Sequence, residues 1–159
     1  MEGRDVTNHH ATCVAFGRFG ILIRGRSGTG KSGLALRLID AEGFATGRTK
    51  LKARLVADDQ VMVERKGSQV WASPPTALAG KIEIRGVGIV TITNLKAVQV
   101  RLVVDLVPYE SIPRMPELTE LQTEVLGLNL PRLYLDAHSA DSVAKLRAAV
   151  VHLKSNISF

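Results

Sequence analysis

The sequence predicts an α/β domain with a mixed central sheet and flanking helices, and three observations carry that expectation. An apolar strand, Gly20-Ile21-Leu22-Ile23-Arg24, runs into a glycine-rich loop and from there into a helical pattern. Short apolar segments of strand length recur along the rest of the chain. Those strands outnumber the helices available as crossovers, so the sheet is expected to be mixed rather than purely parallel.

The elements follow in order. Residues 12–16 form a first strand, in which Cys13 reads as a buried small hydrophobe, and a turn at 17–20 leads to the strand before the loop. Ser32-Gly33-Leu34-Ala35-Leu36-Arg37-Leu38-Ile39-Asp40-Ala41 has the helical pattern. Residues 42–52 are polar, glycine-containing and basic; they read as a surface loop, with contact to an acidic partner as the alternative. Leu55-Val56-Ala57 is a short buried strand ending at Asp58-Asp59. Residues 60–64 continue extended and can pair with 69–72 through the Lys66-Gly67-Ser68 turn. After Pro74-Pro75 come a short helical stretch near 76–79 and an alternating segment from Lys81 to Gly86, continued by apolar residues to Val90. Residues 98–107 make the longest β-like run. Residues 108–117 hold three prolines and are expected to be irregular, 118–126 to be helical, and 133–135 to form a last short strand. From 142 to 154, Val143, Leu146, Val150 and Leu153 recur at helical spacing.

At 159 residues the chain fits one domain with a core of its own. A single cysteine excludes an intramolecular disulfide and a thiolate metal cluster. The polar first ten residues lack the apolar segment of a signal peptide, and no apolar run approaches the ~20 residues that span a bilayer, so a cytoplasmic location is the expectation. The net charge of +6 points to an acidic partner, while 4% aromatic residues argue against a stacking platform for single-stranded nucleic acid.

Gly25-Arg26-Ser27-Gly28-Thr29-Gly30-Lys31-Ser32 is a complete G-x-x-x-x-G-K-[ST] loop. Its glycines let backbone N–H groups turn inward around an anion, Lys31 reaches terminal phosphates, and the Ser32 hydroxyl suits Mg²⁺. The following helix adds its positive end. Phosphoryl transfer also needs metal ligands and a group that orients the nucleophile. Asp58-Asp59, at the carboxyl end of a strand, is where an α/β nucleotide fold places such acids, one carboxylate for the metal and one for the acceptor hydroxyl. Standing alone, the pair reads equally as a turn or helix cap. Glu83 and Arg85, two apart, share one face of a strand, as surface charges also do. His10 is a weak signal by itself, and His9, His138 and His152 show no metal-ligand spacing and read as surface residues.

Taken in order, His10, the loop, Leu55-Val56-Ala57-Asp58-Asp59 and Glu83-Ile84-Arg85-Gly86-Val87-Gly88-Ile89-Val90 resemble the HPr kinase/phosphorylase catalytic domain, from about residue 10 to 135. The resemblance implies a P-loop kinase-like domain that transfers phosphate from ATP, with Mg²⁺, to a serine of the phosphocarrier HPr or an HPr-like paralogue, and can run the reverse phosphorolysis. It implies Asp58 as general base, with His10 beside it tuning its proton affinity. It also implies Ser32, Asp59 and Glu83 on Mg²⁺, Arg85 on the transferring phosphate, and Arg114 as a second active-site arginine. Three departures stand out. The loop starts at residue 25, so the amino-terminal domain of long family members is not expected, as in the family's short forms. Residues 42–52 look like an insertion. Asp136-Ala137-His138-Ser139-Ala140 replaces a basic Gly- and Pro-containing loop, so kinase activity is the firmer implication and homo-oligomer assembly is left open. Three other readings compete: a P-loop kinase of a small metabolite, a non-catalytic nucleotide sensor, and an NTPase acting on nucleic acid.

Overall fold

The computed structural model describes residues 5–156. Ten strands and two α-helices follow in the order β1 (Val6–Phe16), β2 (Phe19–Arg24), α1 (Lys31–Asp40), β3 (Arg54–Ala57), β4 (Gln60–Lys66), β5 (Gln69–Ser73), β6 (Lys81–Ile84), β7 (Gly88–Thr91), β8 (Val98–Leu106), β9 (Gln122–Val125), β10 (Leu128–Leu135) and α2 (Ser142–Asn156). Short 3-10 turns sit at Thr76–Leu78 and Tyr109–Ser111. Among the described residues no helix is long and apolar enough to cross a membrane.

The main sheet runs β2-β1-β4-β5-β8-β10-β9, and β2 also pairs with β8, so five of its strands close into a hydrogen-bonded ring. The sheet is mixed as expected: β2 and β10 run parallel to β8, and the other pairs are antiparallel. β6 and β7 form a separate hairpin.

Closure of the ring explains why the strand sequences are continuously apolar. Ala11, Cys13, Ala15, Leu22, Val63 and Val103 belong to one buried cluster among strand side chains, whereas their neighbours Val14, Phe16, Ile21, Ile23 and Val104 pack with Leu34 and Leu38 of α1 and Leu146 and Val150 of α2. Successive side chains thus enter two different cores. Each fully buried Leu or Ile contributes about 1.5–3 kcal/mol. Both helices cover the same face of the sheet. They are joined by Arg37, which donates to the Ser142 hydroxyl (3.0 Å) and to the Ala137 carbonyl. Buried Arg147 reaches from α2 to the carbonyl of Ala41, and burial lowers its proton affinity.

Three expectations change. The first strand extends back to Val6, because its polar half pairs with β4. Residues 118–126 are not helical: 122–125 form β9, which turns at Leu126-Gly127 (φ +50° and +78°) into β10. β10 itself starts at Leu128, well before 133. Its Pro131 faces only β9, and pairing with β8 begins one residue later.

Candidate active site

The loop joins the end of β2 to the start of α1. Gly30 caps the helix in the left-handed conformation (φ +93°), where a Cβ would be strained. Its carbonyl accepts the first helical bond, from the Leu34 N–H at 2.9 Å. The amides of Lys31, Ser32 and Gly33 therefore have no partner in the helical ladder and are available to an anion. Thr29 tightens the turn by donating both its N–H (3.1 Å) and its hydroxyl (2.7 Å) to the Arg26 carbonyl. Lys31 is 7% exposed and donates to the carbonyls of Gly25 (2.8 Å) and Arg26 (3.1 Å). Burial lowers its pKa, and the charges of Asp59 and Asp58 oppose that shift.

The two acids sit at a break in a strand. β1 pairs first with β4 and then with β3, and between them the Ala11 N–H donates to the Asp59 carbonyl at 3.2 Å. Asp59 takes φ +65°, a conformation Asp tolerates better than most residues, and the Gln60 N–H donates to the Asp58 carbonyl at 2.7 Å. The break gives the neighbouring carboxylates opposite surroundings. Asp58 is 4% exposed, and its Oδ1 accepts from the hydroxyls of Thr12 (2.9 Å) and Ser32 (2.7 Å). Its Oδ2 accepts the Glu83 N–H at 3.2 Å. The Asp59 side chain is 58% exposed, and His10 Nδ1 lies 3.3 Å from Asp59 Oδ1, whereas the resemblance implied His10 beside Asp58.

The third component is the β6–β7 hairpin, docked through that Glu83 N–H. Its turn closes with Val87 N–H to Ile84 carbonyl at 2.9 Å, with Gly86 at φ +84° in the position where a type II turn requires glycine. Glu83 is on the strand and Arg85 in the turn, so they do not share a strand face, yet both line one cleft.

That cleft, about 490 Å³, brings together His10, Ser27, Gly28, Gly30, Lys31, Ser32, Asp59, Glu83 and Arg85. Asp58 lies beneath it, held by Ser32. Gly25 and Arg26 serve through their carbonyls, and Thr29 faces an adjoining cavity that shares Gly28 with the cleft. Arg114 is the exception: it is exposed on the segment between the 3-10 turn and β9 and does not line the cleft. The sequence reading also missed two residues. Thr12 is fully buried against Asp58, a role visible only once β1 lies beside the break. His138 is exposed as expected but forms a wall of the cleft, its Cε1 3.3 Å from where a Cβ on Gly30 would stand.

Ser32, Asp58, Asp59 and Glu83 offer hard oxygen donors of the type Mg²⁺ takes. Among the described residues no three His, Cys, Asp or Glu side chains converge as a complete cage. Mg²⁺ binds through one or two carboxylates together with substrate phosphates and water, so it would need no closed protein cage.

Comparison with known proteins agrees with the architecture. The family described as HPr Serine kinase C-terminal domain matches residues 4–157. The HPr kinase/phosphorylase of Enterococcus faecalis is 33% identical over 156 residues, covering 91% of this chain and 47% of its own length. That of Chloroherpeton thalassium is 31% identical over 153 residues, covering 90% and 42%. The chain thus spans under half the length of these relatives. The solved structure of the Hpr(Ser) kinase/phosphatase from Coxiella burnetii superimposes with a TM-score of 0.74 at 26% identity, over 94% of this chain and 97% of that one. With strand, loop, helix and hairpin all in place, the chain belongs to the HPr serine kinase C-terminal domain family.

Proposed function

We propose that this chain is an ATP- and Mg²⁺-dependent protein-serine kinase whose acceptor is HPr or an HPr-like phosphocarrier. One observation carries the reading: Lys31 and Ser32, the acids of the strand break, and Glu83 with Arg85 converge on a single cleft. Each is a type of group that phosphoryl transfer uses.

The loop amides and Lys31 hold the phosphates, and Lys31 exchanges its contacts with the loop carbonyls for phosphate oxygens. Ser32, Asp58 and Glu83 would hold Mg²⁺, which would supply positive charge against the phosphates. Arg85 steadies the transferring group. The serine oxygen attacks the γ-phosphorus, the bond to the bridging oxygen breaks, and ADP leaves. Asp59 receives the hydroxyl proton. Its exposure beside His10, against the enclosure of Asp58 by three donors, supports Asp59 rather than Asp58 as the carboxylate that meets the acceptor. His10 orients it. In the reverse direction Asp59 returns the proton. Arg114 has no part in this reading.

The test is transfer from labelled ATP to purified HPr beside its serine-to-alanine variant. Label on the wild type alone is the expected result. ATP binding without transfer to HPr would overturn the assignment in favour of a nucleotide sensor or a metabolite kinase.

A further inference from the structure

The short loop between β10 and α2 stands against the phosphate loop and is anchored on both sides of His138. Asp136 Oδ1 accepts the His138 N–H at 2.9 Å, and the Asp136 carbonyl accepts the Ser139 N–H at 3.2 Å. The Ala137 carbonyl accepts from Arg37 of α1 and from the Ser142 hydroxyl at 3.4 Å, and Arg37 also donates to that hydroxyl at 3.0 Å. The Ser142 N–H donates to the Ser139 carbonyl at 3.1 Å. The backbone that carries His138 is therefore fixed against α1, the helix that follows the phosphate loop.

This anchoring brings the imidazole to Gly30. A Cβ at residue 30 would stand 3.2 Å from the Ala137 Cβ, 3.3 Å from His138 Cε1 and 3.6 Å from His138 Nε2. Gly30 directly precedes Lys31, Ser32 and Gly33, whose amides are open to an anion, so Nε2 stands at the rim of that cradle. Among the described residues neither ring nitrogen has a hydrogen-bond or ionic partner. The ring is exposed and lines both the cleft and the adjoining cavity of about 330 Å³, which otherwise share Gly28. Asp59, Glu83 and Arg85 line the cleft and not that cavity. His138 thus marks the end of the cleft away from the acids, where the phosphates that are not transferred would lie.

An unpartnered ring nitrogen, held in place beside converging amides, is a donor suited to an oxyanion, and hydrogen bonds to ionised acceptors are the strong ones. Neutral imidazole keeps one N–H, so donation needs no net charge. We propose that His138 is a nucleotide-binding residue, its ring N–H donating to an oxygen of the phosphates that remain with ADP. This role rests on the reading of the cleft as a nucleotide site and adds a phosphate contact from the loop before α2.

Calorimetric titration of ADP with Mg²⁺ into the full chain tests it. Loss of a hydrogen bond to a charged group should weaken ADP binding at least about tenfold in His138→Phe, which keeps a ring but no donor. His138→Gln, whose amide N–H can take the same place, should retain most of the affinity. Both changes fall on an exposed side chain, and an unchanged melting temperature checks the fold. Should His138→Phe fail to fold, the wild type decides: ADP should shift the ring nitrogen resonances of His138 and leave those of His152 on α2 in place. Equal ADP affinity in wild type and His138→Phe, a His138→Gln as weak as His138→Phe, or an unresponsive His138 ring overturns the role and leaves the nucleotide reading standing. No ADP binding by the wild type overturns both. ADP binding that depends on His138, without transfer to HPr, upholds the role and overturns the kinase reading alone.

Discussion

The phosphate loop and the β3–β4 break face each other across one cleft, but they are held by different kinds of contact. The turn of the loop is shaped by local bonds, from Thr29 to Arg26 and from Lys31 back to Gly25 and Arg26, and only Ser32 at its end reaches far along the chain. The break is held from far along the chain. Asp58 meets Thr12 across 46 residues, Ser32 across 26 and Glu83 across 25. The loop can therefore keep its shape while surrounding structure shifts, whereas the acids are in place only when the ring is closed and the hairpin docked. Changes in the loop should cost function alone, and changes at the break should separate into those that cost function and those that cost the fold.

The largest expected effect is at Asp59. Asp59→Asn should lower transfer about 10²–10⁴-fold, the usual worth of a general base, with thermal stability and ATP binding retained. Lys31→Ala comes next. Removing one charged stabiliser of the phosphates should cost about 10²–10³-fold in turnover and weaken ATP binding, as measured by calorimetry. Asp58→Asn places an amide among three donors, so chemical denaturation should show a loss of about 1.5–3 kcal/mol per bond broken. Thr12→Val, removing one of those donors, should cost one such bond, about 1.5–3 kcal/mol. Normal transfer by Asp59→Asn, together with a stable but inactive Asp58→Asn, would reverse the two roles.

The smallest effect concerns pH. Burial, and then the charge of Arg24, lower the pKa of His9 below its ordinary value of 6.5. The unfolded chain therefore takes up the proton first, and stability present above pH 6.5 declines as pH falls toward the folded pKa. The melting temperature of the wild type should drop more between pH 7 and pH 5 than that of His9→Gln. Equal drops would remove His9 from the account.

The same contrast explains what could be read before folding. The loop, its strand and its helix were legible because each signal lies within a few residues; the β6–β7 hairpin was not, and 81–90 read as one continuous segment until Arg85-Gly86 proved to be its turn. The Thr12–Asp58 contact was not legible, since it exists only through the pairing of β1 with a strand over forty residues away. His10 was picked out through a family resemblance and given the wrong neighbour, because adjacent carboxylates look alike until φ at Asp59 turns one outward. Leu118 and Leu121 suggested a helix. Leucine spacing over so short a stretch cannot tell a helix from an edge strand, and Leu126 gives no hint that it adopts positive φ.

The left-handed backbone at Asp59 also shapes what mutation can do there. Asn and Gly are the other residues at ease in that conformation, and each is one base change from an aspartate codon. Under the role proposed for Asp59, drift at this codon would open directly onto proteins that fold and bind but do not turn over. On the proposed function such a protein would occupy its partner without altering it, and the loss would surface in a cell as dominant interference rather than as simple absence.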